Sequence, residues 1–132
     1  MQRIDTNLLN GVTAQAKESP RLRMNHNFHA SLEAKAQRLL NALEPGTVLL
    51  VHRHPHTAET YLLLRGKIRV MFYNDAKEET ESTVLDPLTG DYGVHIPAGQ
   101  WHTLEVLESG SVLFEVCLLY TSPSPRDRSL SR

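Results

Sequence analysis

Apolar residues recur at helical spacing near the start of the chain and with a period of two over most of the rest. Leu8, Leu9, Val12 and Ala16 fall on one face of a helix from Thr6 to Glu18, with Asp5 or Thr6 as N-cap and Pro20 as its stop. Arg21 to Phe28 reads as extended. Ser31 then caps a second expected helix with the stripe Leu32, Ala36, Leu39, Leu40 and Leu43, ended by Glu44-Pro45-Gly46. From Thr47 the pattern predicts seven short strands: 47–52, 59–64, 67–73, 81–85, 94–96, 102–107 and 111–116. Pro55, Arg65-Gly66, Asn74-Asp75, Asp86-Pro87, Pro97-Ala98-Gly99 and Ser109-Gly110 punctuate them. Strands at this spacing with no helix between them imply an antiparallel sandwich or barrel.

A length of 132 residues allows one domain. It divides into a helical and extended lead-in (1–45), a barrel (46–116) and a tail (117–132) rich in Ser, Pro and Arg that is expected to be disordered. Net charge is −1 and the basic residues are interspersed with acidic ones, which argues against a nucleic-acid or membrane-surface partner. No apolar run approaches bilayer length, and Met1–Asn10 lacks a signal-peptide pattern. A single cysteine, Cys117, fits a reducing compartment, so the expectation is a cytoplasmic protein.

The seven histidines change this ordinary picture, because His52, His54 and His56 fall within five residues. Alternation puts His52 and His54 on one face of a strand. The turn after Pro55 brings Glu59 to the head of the next strand, and His102 follows a separate Pro97-Ala98-Gly99 turn. A lone His-x-His is commonly just a wet strand face. Adding a carboxylate and a third imidazole from other strands points instead to a metal site of His52, His54, Glu59 and His102. The mixed nitrogen and oxygen set suits one divalent transition metal ion: zinc, iron, manganese or nickel, with copper also compatible. His56 in the turn and Tyr61, in phase with Glu59, are candidate proton carriers. His95 points either into the cavity or outward, and Trp101 adjoins His102. In the stretch 23–29, Arg23, Asn25, Asn27 and His29 alternate with Met24, His26 and Phe28. That reads either as an edge strand with one wet face or as a polar wall that binds a ligand.

The spacing Gly46, His52, His54, Glu59, Gly66 resembles the first cupin motif at every fixed position. Gly90-Asp91 followed by Pro97, Gly99 and His102 resembles the second, with one extra residue before Pro97 and Val106 where many cupins have Asn. Closer still is the similarity to the WbuC-type cupin-fold metalloproteins. It rests on Arg23-Met24-Asn25-His26-Asn27-Phe28-His29, Arg38-Leu39-Leu40-Asn41-Ala42-Leu43, His52-Arg53-His54 and the run from Gly93 to Thr103. It covers Ile4 to Val116. The resemblance implies an all-β, RmlC-like jelly-roll barrel, here preceded by two short helices, with metal at His52, His54, Glu59 and His102. It also implies a homodimer and a link to O-antigen or lipopolysaccharide biosynthesis. The function expected is binding of, or action on, a small polar molecule such as a sugar or sugar nucleotide, by isomerisation or epimerisation. An Fe(II)-dependent dioxygenase and a non-catalytic sensing module are the alternatives. Beyond Val116 the likeness stops, and Cys117 to Asp127 resembles translated sequencing-adapter sequence.

Overall fold

The period-two signal builds eight strands: β1 (Arg23–Asn27), β2 (Ala36–Leu43), β3 (Glu59–Arg65), β4 (Ile68–Tyr73), β5 (Glu79–Leu85), β6 (Gly93–Ile96), β7 (Trp101–Val106) and β8 (Ser111–Leu118). The computed structural model describes residues 1–118. The expectation of a disordered tail falls largely on 119–132, outside the described residues, whereas Cys117 and Leu118 are the last residues of β8. All pairings are antiparallel, and they form a five-stranded sheet in the order β1-β2-β8-β3-β6 and a three-stranded sheet in the order β5-β4-β7. Inward side chains of both sheets, among them Leu63, Ile68, Val70, Leu85, Leu104 and Leu113, make the central core. No helix among the described residues is long and apolar enough to cross a membrane.

The helix α1 (Thr6–Glu18) begins as expected. The Asp5 carboxylate accepts a hydrogen bond from the Leu8 N–H at 3.0 Å. Extended Ser19 ends it just before Pro20. Val12 and Ala16 pack on the outer face of the larger sheet against Leu40, Ala42 and Val112. Arg65 fastens the helix to the sheet: its guanidinium donates to Asn10 Oδ1 (2.8 Å), Thr13 Oγ1 (3.1 Å) and the Gly110 carbonyl (2.8 Å).

The second expected helix is instead β2, so α1 is the only α-helix among the described residues. The reason is burial on both faces. Leu40 and Ala42 face α1, while Leu43 faces the central core. A strand covered on both sides loses its polar alternation and reads as an apolar run, which periodicity cannot separate from a helix. The strand expected over 47–52 is also absent. Segment 47–54 lies beside β7, yet its only ladder contact is the His52–His102 bridge. Its other ties are irregular. The Leu49 carbonyl accepts from Thr103 Oγ1 at 2.7 Å, and the His54 carbonyl from the Gly99 N–H at 2.9 Å.

Candidate metal centre and its cavity

Strand alternation aims Glu59 and Tyr61 of β3, and His102 of β7, into the space between the sheets. Glu59 is 6% and His102 1% exposed. His52 comes from the irregular segment and is placed by backbone, its N–H donating to the His102 carbonyl (3.0 Å) and the His102 N–H returning the bond (2.8 Å). One donor atom from each of His52, Glu59 and His102 therefore lies within 4.8 Å of the other two. The His52 and His102 rings are 4.4 Å apart. His54 stands at the rim. Its Nε2 is 3.0 Å from Glu59 Oε1, but its ring is 5.5 Å from His52 and 6.2 Å from His102.

The ring orientations favour coordination. His52 Nδ1 lies 2.9 Å from the Leu50 carbonyl and His102 Nδ1 2.8 Å from the Gln100 carbonyl. A carbonyl can only accept, so each Nδ1 carries the proton and each Nε2 presents a lone pair. Glu59 Oε1 is fully buried, with His54 Nε2 at 3.0 Å and His102 Nε2 at 3.4 Å, yet no hydrogen bond of adequate geometry reaches it. A buried acceptor left without a donor is costly, and a cation at this point would satisfy it. The residues thus fit a borderline divalent metal of the zinc, iron, manganese and nickel group.

The electrostatics agree. Burial alone would raise the Glu59 carboxyl, but without metal the protonated forms of His102 and His54, which donate from Nε2 and carry positive charge, overcome it and hold the group at about 2. The Glu59 carboxylate raises His54 against partial burial. Desolvation lowers His52, aided by the neighbouring imidazoles of His102 and His54. Burial, reinforced by the Glu115 and Glu59 charges, pushes the Tyr61 phenol well above its usual value and keeps it protonated.

His52 and Glu59 of the trio, with His54 at the rim, border a cavity of about 630 Å³, while His102 lies buried behind them. Arg23 and Asn25 of β1 reach it, as do Asn41 of β2, Tyr61 of β3 and Glu115 of β8. β1 is thus an edge strand whose polar face is turned into the cavity. Asn27 and His56 are exposed and lie outside the lining. The His29 ring is tied to the Arg38 backbone. His95 shares a face with Thr60, 3.1 Å from its hydroxyl, and borders a separate groove. Trp101 carries Arg53 and Lys77 on its ring at 4.6 and 4.7 Å, away from the cavity.

Several cavity residues, among them Asn41, Glu115, Arg21 and Gln37, are not sequence candidates. Asn41 Nδ2 donates to Glu115 Oε2 at 3.0 Å, while Asn41 Oδ1 is buried with no partner. Glu115 is in phase with Leu113 along β8, and that alternation is the signal that finds it. Asn41 was hidden by the helical reading of its strand. Burial, with the Glu59 charge, raises the Glu115 carboxyl to about 7 despite the bond from Asn41. A raised carboxyl means that the folded state holds an extra proton between pH 4.5 and about 7, so stability falls as pH rises through that window. In chelator-treated protein, Glu115→Gln should accordingly be neutral at pH 5 and stabilising by about 2–3 kcal/mol at pH 8. Urea denaturation at the two pH values measures this, and an equal effect at both would refute it.

A family model described as a domain of unknown function (DUF6016) matches residues 4–85. No curated protein matches the chain. Solved structures are similar throughout the fold. The structure of KdgF from Halomonas sp. superposes with a TM-score of 0.61 at 16% identity, covering 83% of this chain and 86% of that one. The capsular polysaccharide assembling protein CapF from Staphylococcus aureus gives 0.64 at 22% identity, over 83% of this chain but 31% of CapF. The cupin domain of Cnp3 from Schizosaccharomyces pombe gives 0.58 at 14% identity, over 73% of this chain and 60% of that one. The chain therefore spans less than a third of CapF and under two thirds of the Cnp3 chain. The shared architecture is the cupin fold.

Proposed function

The chain belongs to the DUF6016 family, and from that premise we propose that it is a metal-dependent cupin that binds and acts on a small polar molecule, a sugar or sugar nucleotide. The observation that carries this reading is the trio of His52, Glu59 and His102, its donor atoms within 4.8 Å of one another beside a 630 Å³ cavity. His54 is the fourth ligand in this reading, drawn in from the rim by the charge on the ion. When bound, the metal supplies Lewis acidity toward a carbonyl or a pair of vicinal hydroxyls.

The chain's own groups supply the rest. The Tyr61 hydroxyl, 3.4 Å from His102 Nε2, stays protonated and offers a hydrogen bond to a ligand oxygen. Glu115 titrates near neutrality, and Asn41 Nδ2 occupies its Oε2, which leaves Oε1 to hold or release a proton. That chemistry suits isomerisation or epimerisation of a sugar. A role for such a step in O-antigen or lipopolysaccharide biosynthesis is the reading that the WbuC-type resemblance suggests, and the shared fold of CapF, a capsular polysaccharide assembling protein, is in keeping with it.

Full-length protein purified without chelator should contain close to one equivalent of transition metal per chain by elemental analysis. Sugar nucleotides should then raise the melting temperature of the loaded protein more than that of the stripped protein. Saturation at a hundredfold excess over Kd contributes about 2.7 kcal/mol, a readily measured shift. Protein that holds less than a tenth of an equivalent, and takes up none on dialysis against zinc, manganese, nickel or ferrous iron, would end this reading.

A further inference from the structure

Two arginines, Arg21 and Arg23, line the cavity together with Ser19. Arg23 Nη1 donates to the Val48 carbonyl at 3.1 Å, which fixes the guanidinium while leaving its other N–H groups available. Among the described residues neither arginine pairs with a carboxylate. Two unpaired cations on one wall repel each other, and the Arg23 guanidinium is weakened by desolvation and by the Arg21 charge. The remaining charged lining residues are Glu59 and Glu115. Glu59 belongs to the metal trio, and Glu115 is engaged by the Asn41 amide, which donates to its Oε2 at 3.0 Å. A divalent ion at the trio would make the lining more positive still.

The lining is also amide-rich. Asn25, Gln37 and Asn41 all reach the cavity, and Asn41 Oδ1 is a buried acceptor without a donor. An amide presents both a donor and an acceptor, which is the complement of a hydroxyl. A buried oxygen without a partner favours a ligand that brings an O–H to it, because the desolvation cost has already been met.

Resting on the proposed metal-dependent sugar chemistry, we infer that the ligand is an anionic polyol, its negative group held by Arg21 and Arg23 and its hydroxyls by Asn41 and the neighbouring amides. A carboxylate and a phosphate share this chemistry. Both accept the fork of N–H donors that a guanidinium presents, and a neutral sugar does not.

The test is calorimetric titration of the full chain, as purified, with glucose, glucuronate, glucose 1-phosphate and a nucleoside diphosphate glucose. At least one anionic member should bind ten times or more tightly than glucose. Which member does so separates a carboxylate from a phosphate or diphosphate. Arg21→Gln/Arg23→Gln should weaken that member by tenfold or more, reduce its salt dependence and leave metal content unchanged. Arg3→Gln/Arg38→Gln, which removes the same charge elsewhere, should not. Repeating the titrations on chelator-treated protein keeps the two readings apart. An arginine-dependent preference that survives without metal upholds the anion site even where the metal reading fails. Glucose binding as tightly as its anionic relatives, binding of no member, or a double variant indistinguishable from the parent would overturn the inference.

Discussion

Glu59→Gln should lower metal affinity by at least about 100-fold, since changing even a partner of a metal ligand costs 10–100-fold. The substitution keeps the shape of the side chain and removes only its charge and one acceptor. In the metal-free protein the orphaned Oε1 gives way to an amide able to donate, so the structure should persist. Titration with zinc or manganese, followed by competition against a chelator, measures the loss. An affinity within threefold of the parent would show that the carboxylate is not a ligand. The same variant carries a pH signature. Glu59 is held at about 2 against an ordinary 4.5, so its contribution to stability is complete above pH 4.5 and is lost as pH falls toward 2. Metal-free parent protein should therefore lose stability across that window more steeply than Glu59→Gln does.

Gly66→Ala should be severely destabilising although it adds a single methyl group outside the metal centre. Gly66 turns the chain between β3 and β4 with φ at +96°, which costs an L-residue about 1–2 kcal/mol. Space is the larger difficulty. A Cβ there would overlap the Ser111 side chain and come within 2.5 Å of the Ser111 Cα, so backbone would have to move. Ser111 is buried, and its hydroxyl donates to the Glu108 carbonyl at 2.7 Å and accepts from the Lys67 N–H at 3.1 Å. Strain and overpacking together should cost roughly 3–5 kcal/mol, a large part of a typical domain's stability. Gly90→Ala is the control. Its φ is +86° but nothing lies within 4 Å, so only the backbone term of about 1–2 kcal/mol applies. Equal urea midpoints for the two variants would refute the steric argument.

Gly66 also illustrates how far the chain could be read. Its place in the motif marks a turn, but only the folded chain brings Ser111 into the space a side chain would need. The barrel strands were legible wherever one face is buried and the other wet, as in β3, with Glu59, Tyr61 and Leu63 turned inward. The reading failed at β2, where α1 on one side and the core on the other erase the alternation. That one failure hid Asn41, and with it the bond to Glu115. The proximity of His52, Glu59 and His102 was expected from alternation and turn placement. What could not be read was that His52 is placed by a pair of backbone bonds to His102 rather than by a strand of its own.

That bridge has a thermodynamic consequence. The stretch from Thr47 to Ala58 supplies two imidazoles yet is anchored by scattered bonds, so it belongs among the parts of a fold that open locally at low cost. An ion shared between it and the rigid strands β3 and β7 would act as a clasp, and amide exchange along the stretch would slow as the ion's free concentration rises. Loss of the ion and unfastening of that flap then become one equilibrium, with the rest of the barrel standing intact.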